Sequence, residues 1–161
     1  MESISENQEL IQKFMDLLEH HLGESCEVIL HDYSKGPMHS IVDIRNGHVT
    51  GRSVGGCTTN IGFEILKGTV EAKDEFNYLT YASNGKILRS SSIYFKNSEG
   101  KPIGSVCVNL DITQSIQFEK FLNQYNHSEP SENEAGDPKE FFTENVNDLL
   151  DTLIERTARK F

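Results

Sequence analysis

The 161-residue sequence contains no tryptophan, four prolines and only three cysteines. Cys26, Cys57 and Cys107 are an odd number of cysteines at wide spacing, which argues against a disulfide framework and against a four-ligand zinc site. Nucleophile-elbow, P-loop, paired His-Glu metal and Gly-rich dinucleotide motifs are also missing. We therefore predict reduced thiols, no metal, no cofactor and no enzymatic activity.

Long apolar runs and basic side chains are also scarce. No stretch reaches the about 18 consecutive apolar residues of a membrane helix, and no secretory leader is recognisable. Fifteen Lys and Arg stand against twenty-five Asp and Glu, a formal net charge of −10. Such a charge repels nucleic acid phosphates unless basic residues gather on one face. We expect a cytoplasmic protein that has no membrane partner and does not itself bind DNA.

The apolar runs that are present have the length of β-strands. Cys26–His31 and Ser40–Arg45 flank a loop with Gly36 and Pro37, which is typical of a hairpin. Asn46-Gly47 follows, and this dipeptide predicts a type I′ turn with two positive φ angles. Three further strands are predicted at 77–82, 87–95 and 103–111, and the turn between the first two of these is Asn84-Gly85.

Helical signals lie before, between and after these strands. An N-terminal helix in residues 1–23 begins at a Ser5–Gln8 capping box, and its apolar stripe is predicted to pack on the sheet or on a second subunit (Leu10, Phe14, Leu17, Leu18 and Leu22). A short helix capped by Thr58 or Thr59 ends at Gly68, and another begins at Thr113. The expected fold class is α+β, a five-stranded antiparallel sheet with helices on one face.

The last part of the chain is predicted to be a linker and a helix. Residues 125–138 are acidic and rich in Ser, Gly and Pro, so we expect a flexible linker. Asp137 and Pro138 form a helix start signal, and residues 139–161 have apolar side chains at helical spacing. This C-terminal amphipathic helix can pack on its own domain, on a dimer partner or on another domain.

The hairpin motifs together resemble a known family. The resemblance covers residues 10 to 122 and rests on His31-Asp32, Ser40-Ile41-Val42, Ile44 with Asn46 to Arg52, Gly55, Leu88 with Ser90-Ser91, the turn at Asn97, and Ile103-Gly104 leading to Cys107-Val108-Asn109. These motifs are similar to the YheO-like PAS domain of bacterial transcriptional regulators. The resemblance implies a PAS-like sensor at residues 24–124 that senses a small molecule and forms a homodimer. In that family a helix-turn-helix domain follows, and it is missing from this sequence, so DNA would be bound only through a domain absent here.

The candidate site is a ligand pocket between the sheet and the middle helices. Polar residues facing a covered sheet need partners, and a small polar metabolite, a carboxylate or an amino acid, could supply them. The predicted lining residues are His31, Asn46, Arg52, Arg89, Ser91 and Asn109.

Two other hypotheses stay open at this stage. The same residues can bond only to one another, which would make the domain a constitutive dimerisation scaffold without ligand. A redox switch at Cys57 or Cys107 is the third possibility.

Overall fold

The computed structural model describes residues 1–127, 140 and 142–159, in which five antiparallel strands form one sheet. The strands lie in the order β2-β1-β5-β4-β3, so β1, β5 and β4 are central. They are β1 (Cys26–Asp32), β2 (Ile41–Arg45), β3 (Glu75–Tyr81), β4 (Ile87–Lys96) and β5 (Pro102–Asp111). The predicted five-stranded antiparallel sheet is confirmed.

The structure contains four α-helices in the described residues, and α2 and α3 begin where the sequence predicts. They are α1 (Gln8–Leu22), α2 (Asn60–Lys67), α3 (Thr113–Tyr125) and α4 (Val146–Ala158). Thr59 caps α2 by accepting from the amide of Gly62 at 3.2 Å, and Gly68 ends that helix with a φ of 77°. None of the helices in the described ranges is long and apolar enough to cross a membrane.

The two faces of the sheet have opposite chemistry. On the first face, Val28 and Leu30 of β1 lie beside Val108 and Val106 of β5, and α1 covers them with buried Ile11 and Met15. On the second face, which also holds the buried side chains of Ile29 and Leu88, most neighbours in the register are polar or small (Glu27 and Asn109, His31 and Ser105, Ser90 and Asn109, Ser92 and Cys107). The apolar core therefore lies mainly under α1, and the polar face is left for α2 and the loops.

The packing of α1 corrects part of the sequence prediction. The helix buries Ile11 and Met15 with Leu18 partly buried, whereas Leu10, Phe14 and Leu17 are 54%, 58% and 61% exposed. The side of α1 that faces the sheet is thus rotated by one position from the predicted stripe, and packing of the stripe on a second subunit stays a prediction. The predicted capping box is also absent, since a 3₁₀ turn at Ile4–Asn7 precedes α1 and Ser5 bonds to Ser3.

The predicted type I′ turn at Asn46-Gly47 is wrong. Only Asn46 has a positive φ, 53°, and Gly47 begins a 3₁₀ turn that ends at Val49. The Asn46 side chain donates to the carbonyls of Gly23 and Cys26 at 3.2 and 2.9 Å, which fixes the end of β2 against the start of β1. A Cβ on Gly47 would clash with the carbonyl oxygen of Arg52, so glycine allows the loop to fold back here.

The chain divides into two compact units, Met1–Phe121 and Leu122–Phe161. In the second unit the C-terminal helix is present, but it begins at Val146 with Asn145 as the cap, whose side chain accepts from the Asp148 amide at 3.0 Å. Phe142 precedes the helix, contrary to prediction. The start signal at Asp137 and Pro138 and residues 128–138 of the predicted linker lie outside the described residues.

Candidate functional site

A cavity of about 390 Å³ opens on the polar face of the sheet, within the first unit. Its floor is formed by β4 and β5, and its walls come from β3, from the loop after β2 and from the start of α2. The floor and wall residues with side-chain polar atoms include His31, Tyr33, Thr50, Arg52, Glu75, Tyr78, Thr80, Ser90, Ser92, Tyr94, Ser105, Cys107 and Asn109. This volume is within the range of small-molecule sites, and many of the lining side chains carry hydroxyl groups.

A buried carboxylate lies beside this cavity. Glu27 on β1 is 0% exposed, and a charge placed there requires partners. Arg52 donates from Nη2 to its carboxylate at 2.8 Å, Asn109 donates at 2.9 Å, and Thr50 donates its hydroxyl to the other oxygen. Arg52 Nε also donates to Thr50 at 3.0 Å. The loop after β2 is therefore attached to the sheet through one ion pair and its hydrogen bonds.

The hydroxyl groups of the floor form two hydrogen-bonded series. The first runs from Thr80 through Ser90 to Asn109, and Ser90 donates to the Asn109 amide oxygen at 2.8 Å. The second joins Tyr78 to Ser92 at 2.7 Å and Ser92 to the Cys107 thiol at 3.2 Å. No fully buried side-chain nitrogen or oxygen lacks a partner in the part of the chain that the structure describes. The fully buried polar atoms of the floor therefore have their partners before any ligand binds.

His31 is the buried titratable group at this floor. Its side chain is 1% exposed overall, and Nδ1 lies 2.9 Å from the hydroxyl of Ser40. Burial, and to a smaller extent the charge of Arg52, lower the pKa of His31 to about 4. The ring is therefore neutral at neutral pH.

Three polar groups on the cavity lining have unused hydrogen-bonding capacity. Among the described residues, Arg52 Nη1, His31 Nε2 and the Tyr94 hydroxyl have no hydrogen-bond partner. Every fully buried side-chain nitrogen or oxygen in the described part of the chain has a partner. These three atoms have none, so they must be at least partly accessible to solvent. Burial raises the pKa of Tyr94, so its hydroxyl keeps its proton and can donate. These groups are available to a ligand.

The cysteines differ in environment. Cys107 lines the cavity, and burial raises the pKa of its thiol, which keeps it protonated and a weak nucleophile. Cys57 is exposed at the cavity wall. The redox hypothesis for these two thiols stays a prediction.

The structure brings together three of the six predicted site residues. His31, Arg52 and Asn109 line the cavity. Arg89 and Ser91 lie on the opposite face, because the register pairs Ser90 with Asn109 and thereby turns their neighbours away. Asn46 fixes the backbone near Gly23 and lies away from the cavity.

Several residues that line the cavity or lie beside it were missed by the sequence analysis. Glu27 is the most important, and its signal was a carboxylate within the apolar strand Cys26–Leu30, where a charge needs a partner. Thr50, which donates to the same Glu27 carboxylate as Arg52, was also missed. The tyrosines Tyr33, Tyr78 and Tyr94 read as ordinary strand and loop aromatics, and no sequence signal separates them from packing residues.

Comparison with known proteins agrees with this architecture. The family model described as YheO-like PAS domain matches residues 2–127. The chain belongs to the YheO-like PAS domain family. PAS domains of this kind are generally sensory and regulatory, and the cavity of the present PAS domain is its candidate sensing site.

Two curated relatives extend this finding. An uncharacterized protein of Haemophilus influenzae is 29% identical over 139 residues, which covers 86% of this chain and 60% of the relative. The uncharacterized protein YheO of Escherichia coli is 27% identical over 141 residues, which covers 86% of this chain and 56% of the relative. The chain therefore spans somewhat more than half the length of the relatives that it matches.

Solved structures are similar to this chain at a lower level. One described as "Flavin Analogue Sheds Light on Light-Oxygen-Voltage Domain Mechanism" is 16% identical with a TM-score of 0.43, covering 71% of this chain and 95% of that chain. Another, described as "Crystal structure of PAS domain from the fruit-fly ELK potassium channel", is 18% identical with a TM-score of 0.36, covering 62% of this chain and 98% of that chain.

The Glu27–Arg52 pair generates a stability prediction. Arg52→Met keeps the aliphatic stem but leaves a fully buried carboxylate without its cation, so we expect the free energy of unfolding to fall by about 3 kcal/mol. Urea denaturation measures the change. Lys13→Met is the matched control, because Lys13 pairs with Glu9 where both side chains are well exposed, and it should cost less than about 0.5 kcal/mol. Adding Glu27→Gln to Arg52→Met should restore part of the loss, and equal effects of the two Met variants would contradict the assignment.

The low pKa of His31 generates a pH prediction. The folded state holds His31 neutral down to about pH 4, whereas the unfolded chain takes up the proton near the ordinary pKa of 6.5. The unfolded state therefore binds more protons between these values, and stability falls as the pH decreases through this window, by about 3 kcal/mol from this residue. Urea midpoints measured across the window should show a smaller slope for His31→Gln than for the control His48→Gln, an exposed histidine. An NMR titration of the His31 ring near pH 6.5 would contradict this prediction.

Proposed function

We propose that this PAS domain is a regulatory sensor that binds a small polar metabolite in the cavity on the polar face of its sheet. The observation that supports the proposal best is the set of unused groups on the cavity lining, Arg52 Nη1, His31 Nε2 and the Tyr94 hydroxyl. A scaffold without ligand has no need for an open cavity lined by such groups. A carboxylate or an amino acid has the oxygen atoms that these groups can bind.

A ligand in this cavity can influence the domain through Arg52. The guanidinium of Arg52 faces the cavity and also binds buried Glu27 and Thr50. A ligand that contacts Nη1 would therefore also affect the position of the loop after β2, which forms a wall of the cavity. Ligand binding shifts the domain between conformations when one of them offers the better contacts. Arg52 thus couples ligand binding to the conformation of this loop.

The output of this sensor is proposed to be transcription. In the bacterial regulators that the sequence resembles, a helix-turn-helix domain follows the PAS domain, and the curated relatives matched here are longer than this chain, which supports this proposal. The net charge of −10 agrees with DNA being bound by that other domain. We propose a cytoplasmic regulator in which this chain supplies sensing and dimerisation, without catalysis.

Dimerisation is proposed to use the exposed face of α1. Leu10, Phe14 and Leu17 form an apolar row that the sheet does not cover. Exposed apolar groups of this kind on one face of a helix are typical of an interface. A dimer that forms this way without any ligand would also serve the alternative function, a constitutive dimerisation scaffold.

A thermal-shift screen with amino acids and small carboxylates tests the sensing function. A ligand at about 100 times its Kd adds about 2.7 kcal/mol of stability and raises the Tm. Tyr94→Phe removes one unused hydroxyl and should weaken binding about fivefold without changing the Tm of the free protein. Arg89→Ala is the control, since Arg89 lies on the other face and should leave binding unchanged. If no compound raises the Tm, the scaffold function replaces sensing.

Light scattering tests the dimer. We expect a mass twice that of the single chain at micromolar concentration, and a single-chain mass for Phe14→Glu, because the carboxylate would be desolvated at the interface. Met38→Glu places the same charge on a residue that is 65% exposed elsewhere and should remain dimeric. A wild-type protein with the single-chain mass would exclude this interface.

A further inference from the structure

The charges around the cavity do not balance. Arg52 is the cation on its lining, and it is paired with the buried carboxylate of Glu27. His31 is neutral at neutral pH, since its pKa is lowered to about 4. Glu75 on β3 also lines the cavity, is exposed, and has no ion pair or hydrogen bond through its carboxylate among the described residues. The charged groups of the cavity therefore carry one net negative charge, and it belongs to Glu75.

The two unlike charges lie on different sides of the cavity. Arg52 is held by Glu27 of β1 and by Thr50, on the side of the loop after β2, whereas Glu75 begins β3 at the other edge of the sheet. Both residues line the same cavity, and so does Tyr78 of β3. A ligand that spans the cavity from the loop after β2 to β3 thus meets a cation at one end and an anion at the other.

The Arg52 end also has a buried group prepared for a ligand. His31 is 1% exposed, yet its Nε2 has no partner in the described part of the chain and belongs to a ring that lines the cavity. When Ser40 donates its hydroxyl proton to Nδ1, Nε2 carries the proton and can donate to an oxygen atom. Arg52 Nη1 provides further N–H donors on the same side.

We infer that the cavity selects a small zwitterion, whose ammonium group binds Glu75 and whose carboxylate binds Arg52 and His31. This inference rests on the proposed sensing function and narrows its ligand class. A simple carboxylate fits less well, because it would add a third anion to Glu27 and Glu75 around a single cation. An ammonium group neutralises the free carboxylate of Glu75, and the carboxylate at the other end uses donors that the fold leaves free.

Three straight-chain compounds with four carbon atoms test the charge preference. These probes are γ-aminobutyrate, butyrate and butylamine, which present both charges, the anion alone and the cation alone. NMR titration of the full chain at low salt should show γ-aminobutyrate binding about three- to fivefold more tightly than butyrate, because Glu75 is an exposed partner whose contribution is modest. Butylamine should also bind more weakly than γ-aminobutyrate, since it has no group for the Arg52 end.

Charge-neutralising variants test whether Glu75 causes the preference for γ-aminobutyrate over butyrate. Glu75→Gln should abolish the preference for γ-aminobutyrate over butyrate, whereas Glu99→Gln removes the same charge from an exposed turn outside the cavity and should preserve it. Equal affinity for the two probes, or a preference that survives Glu75→Gln, would overturn the inference and leave the sensing function standing. Failure of all three probes, together with a negative thermal-shift screen, would overturn both.

Discussion

The fully buried carboxylate of Glu27 is the constraint on which the polar half of this domain depends. A charge in that position is tolerated only when donors surround it, and the chain supplies them from two places, Asn109 on β5 and the loop residues Thr50 and Arg52. The loop must therefore fold back onto β1, and Gly47 makes that path possible because its missing Cβ would meet the Arg52 carbonyl. One buried charge thus fixes the wall of the cavity.

The same strands serve two purposes because alternate residues face opposite sides. In β1, Val28 and Leu30 build the core under α1, whereas Glu27 and His31 belong to the polar face. The serines of β4 divide in the same way, since Ser90 and Ser92 face the cavity and Ser91 does not. Strand parity therefore puts the main apolar cluster under α1 and the cavity on opposite faces of the sheet, although Glu27, Arg52 and His31 also affect stability on the cavity face.

Local signals explain which parts of the fold could be predicted from the sequence. Thr59, Gly68 and Asn84-Gly85 act on their immediate neighbours, so α2 and the hairpin of β3 and β4 were predicted correctly. The rotation of α1 and the sides on which Arg89 and Ser91 lie depend on tertiary packing and on strand register, which a single sequence does not specify. Of the residues predicted for the candidate site, His31, Arg52 and Asn109 therefore lie at the cavity, whereas Arg89 and Ser91 lie on the other face of the sheet.

Arg52 shows why binding groups must be separated from supporting groups. Its Nε and Nη2 are occupied by Thr50 and Glu27, so its removal would disturb the fold as well as any ligand. The floor hydroxyls are likewise bonded to one another. The groups that can bind a ligand are those that make no hydrogen bond within the domain, namely Nη1 of Arg52, Nε2 of His31 and the hydroxyl of Tyr94. Because these atoms contribute no internal hydrogen bonds, their presence around an open cavity is better explained by binding than by stability.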